Sequence, residues 1–384
     1  MRILLSVCSV LALVVGSGAA YGATICVNPG GTAGCRSSIQ AAVDAAVADD
    51  VVDVASGTYA ESITVSPSRQ RLTIQGAGAG LTIVDGSALL GAPVITVGDV
   101  SGGRLAVALR GISVQLGLQT GILVKGGAKT RATIEDVELS GVIGYPSSAI
   151  QVGEEPIKGS SATIARVKIH QVGIPLYATS AAKVTLVDSE ISDSGPGGFQ
   201  ARTGGLVAFL SARIVADRVL LAGMSGRIVD ASRGGRVSLT SSTISSNHAP
   251  SFECLGSASS IKLTGCTIAE NDSLSFVSGG MIRLAATIVW GTATPPDCTG
   301  RLSSGDFNML ESSCGFARLG RHDRVQVDPL LGPLENNGGP TDTHALLPSS
   351  PARNVVSTHA LCKASDQRGV ARSVPCDVGA FEAP

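Results

Sequence analysis

Five polar residues between positions 136 and 188 have the types that could do chemistry. Asp136 and Asp188 offer carboxylate oxygens of the kind calcium takes. Arg166 and Lys168 could meet an acidic glycan, and His170, next to Ile169, could act as the base of a lyase or hydrolase. Each also has an architectural reading. Asp tolerates the left-handed backbone of a tight corner, and a lone His is an ordinary surface residue. A second oxygen-rich group, Asp323, Asp328 and Asp342 with Asn336 and Asn337, could bind calcium, or could simply build turns around the Gly338, Gly339 and Pro340 string. Aromatic residues make up 3% of the chain, with Trp290 the only tryptophan. Tyr145 and Tyr177 are the pair that could line a sugar platform, and His344 reads as a structural contact.

Which reading holds depends on the elements that place these residues. Eight fragments, such as RATIEDVEL, KVTLVDSEI and SIKLTGCTI, align on Leu109, Ile134, Ile164, Leu186, Ile214, Leu239, Leu263 and Leu284, spaced 21 to 30 residues apart. A repeat of that length marks a solenoid, a propeller or an array. The residue two before each anchor is apolar and the one between is mostly polar, which is the alternation of a strand. Another apolar residue follows five after every anchor. An odd spacing between two inward residues requires a corner between them.

The corner falls two residues after the anchor, at Gly111, Asp136, Arg166, Asp188, Ala216, Ser241, Gly265 and Ala286. Four after the anchor, Glu138, Lys168, Glu190 and Arg218 alternate in sign and are expected to form an outward ladder of ion pairs between coils. A further strand-like stretch, as in GILVKGG or GRIVDASRGG, completes each coil before a Gly-rich turn. Strand, corner, strand and turn at this period predict a parallel β-helix of about ten coils.

The ends differ from the middle. Residues 1–23 read as a Sec signal peptide with its apolar stretch from Ile3 to Val15, so export is expected. No later run is apolar enough to span a bilayer as a helix. Residues 24–70 form an N-terminal cap, with a helix begun by Ser37 or Ser38 that buries Ile39, Val43 and Ala46. Residues 71–327 are the coils, and 328–384 are a loop-rich C-terminal module. Without Cys8 of the signal peptide, eight cysteines remain. Neighbour pairing is expected, Cys26 with Cys35, Cys254 with Cys266, Cys298 with Cys314 and Cys362 with Cys376, although eight cysteines allow 105 connectivities. The net charge of −1 and 15% charged residues show no basic stripe along the chain, which leaves no electrostatic case for nucleic acid.

The string SSIQAAVDAAVADDVVDVASGTYAESITV, followed by LTIQGAGAGLTIVDG, resembles the opening of pectin-lyase-like β-helix proteins, and that resemblance implies a right-handed solenoid. SLTSSTISSNHA and KLTGCTIAENDS resemble coils of bacterial surface β-helices. DPLLGPLENNGGPTDTHALLPSSPARN and DQRGVARSVPCDVGAFE resemble the choice-of-anchor Q module, which implies an exported bacterial protein, often held at the surface. No sorting motif or terminal hydrophobic helix follows Glu382. The sequence lacks the NTD and GHG set of polygalacturonases, the WIDH-like segment of pectate lyases and the GxxDFIFG-like stretch of pectin methylesterases. The expectation is therefore an all-β, single right-handed parallel β-helix with an N-terminal capping helix and a C-terminal capping module. It is expected to be secreted or surface-located, monomeric and without cofactor, acting as a non-catalytic scaffold that is adhesive or binds an extracellular polysaccharide or cell-surface component. The alternative is a polysaccharide lyase or glycoside hydrolase, with calcium if a lyase.

Overall fold

A computed structural model describes residues 22–89, 91–101, 103–117, 120–141, 148–195, 204–292, 297–313 and 315–384. The signal peptide expected at 1–23 lies almost wholly outside the described residues. Each coil contributes a strand to each of three walls, and every strand pairs in parallel with its equivalent one coil away. The first wall includes Leu105–Arg110, Thr130–Glu135, Ser161–Ala165, Lys183–Val187 and Arg213–Asp217. Among the described residues the second wall is a 12-stranded sheet that includes Glu138–Gly141, Lys168–His170 and Glu190–Ser192. Ser148–Val152, Ile174–Ala178, Gly204–Ala208, Ser225–Ser232 and His248–Leu255 lie on the third.

The walls close because each strand is short and ends in a residue that bends the chain. Gly111, Asp136, Arg166, Asp188, Arg218, Ser241, Gly265 and Ala286 all have positive φ, between 45° and 61°, at the corner from first to second wall. A second corner repeats the device after the second wall, at Gln171, Asp193, Gly223, Ser246, Glu270 and Gly291. One expected alignment shifts. Val184 pairs with Ile214 and Leu186 with Ala216, so Ala216 is the anchor of its coil and Arg218 its corner residue. A small residue at the inward position made the larger Ile214 look like the anchor.

Inside, equivalent residues stack in files. Ile134, Ile164, Leu186, Ala216 and Leu239 form one, and Ile150, Leu176, Leu206, Val229 and Phe252 form another, all fully buried or nearly so. Each buried Leu or Ile contributes about 1.5–3 kcal/mol relative to exposure. The inner side of the first corner carries Ser189, Ser242, Cys266 and Thr287, whose hydroxyls or thiol bond to backbone carbonyls there. Asn247 and Asn271 stack at the second corner, Asn247 Nδ2 donating to Asn271 Oδ1 at 2.9 Å.

At the N-terminal end the helix Ile39–Ala45 is capped by Ser38, whose side chain accepts from Ala41 N at 3.0 Å. Glu61 accepts from Ile39 N and Gln40 N at 2.7 and 2.9 Å, and Ile39, Ala42 and Val43 are buried. The C-terminal segment packs along the flank of the late coils, over the second wall. His344 Nδ1 donates to Gly332 O at 2.8 Å, and its Nε2 lies 2.8 Å from Ser245 Oγ. Gln367 Oε1 accepts from Thr243 Oγ1 at 2.6 Å, and Ala380 N donates to Thr267 Oγ1 at 3.0 Å. Ile288, Met309, Leu346, Val356, Val378 and Phe381 form a second core between coils and segment.

Disulfides join Cys26 to Cys35 and Cys362 to Cys376. The expected Cys254–Cys266 bond is absent: both are free and buried. Cys254 lies in a third-wall strand, whereas Cys266 takes the place in the corner stack that Ser242 and Thr287 take in neighbouring coils. Close spacing in sequence puts the two on different walls. Cys314 lies outside the described residues, and only the backbone of Cys298 is described.

Candidate functional site

The outward residues of the third wall line a groove of about 720 Å³, within the size range of small-ligand sites. Strand alternation decides which residues reach it. Ile150, Leu176, Leu206 and Val229 point inward, so the adjacent Gln151, Tyr177, Val207 and Asp230 form an outward file that Glu253 continues. Arg227 pairs with Ser251, and a register shift follows between it and Val229, where the strand pairing bulges. Bulges re-aim side chains at such edges.

One part of the groove is aromatic. Tyr177 and Phe209 stack with centroids 6.5 Å apart, and the Arg233 guanidinium lies 5.0 Å from the Phe209 centroid. Such rings offer apolar faces of the kind sugar C–H groups contact. The other part is charged. Arg227 Nη1 donates to Asp230 Oδ2 at 2.7 Å and Nη2 reaches Glu253 Oε2 at 2.6 Å. The three side chains are only 11, 8 and 18% exposed. Ser232 donates to the other Asp230 oxygen, and Ser251 Oγ lies 3.5 Å from Glu253 Oε1. Both oxygens of Asp230 are thus occupied by donors from the chain itself.

The charged residues singled out from sequence lie elsewhere. Arg166 donates from Nε and Nη2 to the two Asp136 oxygens at 2.7 and 2.9 Å. The Arg166 guanidinium holds the Asp136 carboxyl below the usual carboxylate range. Asp188 is bound in the same fork by Arg218, at 2.7 and 3.0 Å, and Arg218 also reaches Asp217 at 2.6 Å. Burial pushes the Asp217 carboxyl up. These pairs run along the first corner. On the second wall Lys168 Nζ lies 3.8 Å from Glu190, and His170 Nε2 lies 3.0 Å from Glu138. Lys168 does stand between Glu138 and Glu190, but Leu220, not Arg218, follows Glu190. The expected ladder is therefore split between a corner and a wall.

Asp136 and Asp188 each spend both oxygens on an arginine, which competes with any cation for them. In the second oxygen-rich group, Asp323 accepts from Asn308 N and Gly320 N, Asp328 from Leu330 N, and Asn336 from Gly338 N. The bonds to Gly320, Leu330 and Gly338 form turns, and the one to Asn308 ties Asp323 to a segment 15 residues away. Among the described residues no three His, Cys, Asp or Glu side chains gather as a metal site. Of the sequence candidates only Tyr177 lines the groove. Tyr145 lies outside the described residues. Arg227, Asp230, Glu253, Phe209 and Arg233 were missed. Their signal is the outward position of the third-wall strands, and turns of unequal length hide it until the coils are in register.

Residues 120–290 match the family model for the right handed beta helix region. The fold is a right-handed parallel β-helix. No curated protein matches the chain. Among solved structures, the complex of XylC with xylose is 10% identical, with a TM-score of 0.54, over 93% of this chain and 98% of that one. A pectate lyase, Pel9A, is 14% identical with a TM-score of 0.45, over 95% and 97% of the two chains. Pectin methylesterase PemA from Erwinia chrysanthemi is 12% identical with a TM-score of 0.42, over 59% and 80%. At these identities the likeness is one of fold, and fold alone assigns no reaction.

Proposed function

We propose that this β-helix is an exported, non-catalytic polysaccharide-binding protein, and that the third-wall groove is its glycan site. The observation that carries this reading is the joining, in one groove, of the Tyr177 and Phe209 rings to a fixed polar network. Sugar recognition needs an apolar face for the ring and oriented partners for the hydroxyls. Arg227, Asp230 and Glu253 provide polar groups held in place by one another. Both Asp230 oxygens are engaged, which suits an orienting role better than proton transfer. The two disulfides fit an extracellular protein. Among the described residues no helix is long and apolar enough to cross a membrane. The resemblance of 328–382 to the choice-of-anchor Q module supports a place at the cell surface.

Binding of the mature chain to a panel of soluble glycans tests the reading. Tyr177→Ala and Phe209→Ala should each weaken binding roughly tenfold, the loss of one ring contact. Retention of full affinity by both variants would move the glycan off this groove. Glycan cleavage is the second reading, favoured by the register of Asp230 opposite Glu253 on adjacent strands. Both carboxylates reach the same Arg227 guanidinium, so they stand side by side on adjacent strands. New reducing ends or unsaturated uronate products, abolished by Asp230→Asn, would establish it in place of simple binding.

A further inference from the structure

One coil of the first wall differs from its neighbours. Strand Leu105–Arg110 carries Ala106 and Ala108 at its outward positions, where the strands on either side carry Arg71 with Thr73 and Arg131 with Thr133. From Thr130 onward, among the described residues, every coil has Thr, Ser, Lys or Arg at one or both of these positions. Two short side chains between two longer pairs leave a trough that runs along the strand and therefore across the solenoid axis. Two adjoining hollows of about 220 and 350 Å³ lie in it, sharing Arg71, Ala106 and Arg131.

The two hollows differ in character. Around the first stand Arg71, Arg104, Lys129 and Arg131, all exposed. Asp49 takes Arg71 Nε and Nη2, which holds the guanidinium in place and leaves Nη1 for a ligand. Among the described residues the other three cations have no carboxylate within ion-pair distance. Four cations against one carboxylate leave an excess of three positive charges, and crowded like charges cost stability. The second hollow adds Thr73, Ala108 and Thr133, with Asp49 and Asp50 also on its lining. Asp50 is spent on the chain, its two oxygens accepting from Ala23 N and Val47 N at 2.7 and 2.8 Å. This end offers hydroxyls and methyl groups.

We propose that the trough binds a compact phosphate ester, a phosphate monoester or diphosphate carried on a small hydroxylated group. The phosphoryl oxygens lie among the four cations, and the hydroxylated group lies over Ala106 and Ala108 between Thr73 and Thr133. Charge selects this class: a phosphate monoester carries about two negative charges at neutral pH and three acceptor oxygens, which suits a threefold excess better than one carboxylate does. Donor type agrees, because arginine takes phosphate in a two-point fork and lysine takes it as a point charge. Size agrees as well. The first hollow is smaller than the roughly 300 Å³ at which drug-sized ligand sites begin, and a trough one coil wide gives no continuous path to a polymer laid along the axis. Among the described residues that line the two hollows there is no aromatic ring, so a nucleobase finds no stacking platform. The trough is on a different wall from the groove, and the proposal does not depend on the groove's assignment.

The test is isothermal titration calorimetry of the whole mature chain with inorganic pyrophosphate and glycerol phosphate. Each should bind at one site per chain, more weakly as salt screens the cations. Lys129→Gln/Arg131→Gln should weaken both roughly tenfold or more. Ala106→Leu fills the trough while keeping every cation, and should also weaken both roughly tenfold. Lys183→Gln removes an exposed cation of the same wall two coils beyond Arg131 and should change neither affinity. All four positions lie on the outer face, and an unchanged thermal midpoint checks that each variant is folded. Full affinity in Ala106→Leu, an equal loss in Lys183→Gln, or sulfate or single-stranded DNA bound as tightly as pyrophosphate would each overturn the proposal. Vesicles containing phosphatidic acid present the same monoester on a lipid. Binding to those vesicles without binding to either soluble probe would make the surface a membrane contact and overturn the proposal too.

Discussion

Arg227 is the residue whose removal tests the groove most sharply. It joins Asp230 at 2.7 Å and Glu253 at 2.6 Å while only 11% of its side chain is exposed. Arg227→Met keeps most of the volume and removes the charge, leaving two neighbouring carboxylates mostly buried without a counterion. Breaking a buried pair in this way costs about 3–5 kcal/mol. The carboxylates retain 8 and 18% exposure, so we expect the lower end, about 3 kcal/mol at neutral pH. Acid should relieve the defect. A buried, unpaired carboxylate takes up a proton more readily in the folded variant than in the unfolded chain, so the variant gains stability relative to the parent as pH falls. Urea titrations at neutral pH and near pH 4.5 measure both effects. Arg227→Met/Asp230→Asn/Glu253→Gln, which removes all three charges, should recover most of the loss. A neutral-pH deficit under about 1 kcal/mol, or one that acid does not shrink, would refute this account of the network.

The corner pairs should behave differently. Arg166→Ala removes an exposed fork and should cost no more than about 1 kcal/mol. It should also flatten the acid limb of the stability profile. Asp136, held below its usual range, contributes stability above its unfolded pKa and loses it as pH falls through the folded value. Asp188→Val places a β-branched residue at φ 50° and should destabilise by about 1–2 kcal/mol or more in a melt, with the Arg218 fork lost as well. Burial pushes the Cys266 thiol up to about 12, so in the native chain at pH 8 it should resist alkylation, becoming reactive only in denaturant. Cys266→Ser should fold, because Ser242 holds the equivalent place one coil away. Leu186→Ala in the fully buried file should cost about 2–5 kcal/mol by chemical denaturation.

Much of this architecture is legible from local rules. Alternation around Leu109, Ile134 and Leu186, and an odd step to the next apolar residue, demand two short strands and a bend, and Asp136 and Asp188 are residues that tolerate the bend. Ser38 announces the helix, and His344 occupies the structural place read for it. These inferences need only side-chain direction and backbone preference, which act within a few residues. The errors have a shared origin. Ala216 is too small to advertise itself as an anchor, so Ile214 took its place and Arg218 was set on a wall instead of a corner. Cys254 and Cys266 are close along the chain but belong to different walls.

Composition and period therefore settle that this chain is a solenoid of stacked short strands, because apolar alternation and corner residues are properties of single segments. They do not settle which surface matters. The groove needs Tyr177, Phe209, Arg227 and Asp230 brought together from successive coils, with Glu253 holding Arg227 from the next strand, and the trough needs Arg71, Arg104, Lys129 and Arg131 gathered from successive coils. Both depend on turn lengths that vary from coil to coil, and on side chains that meet only when strands separated by a whole coil lie about 4.8 Å apart.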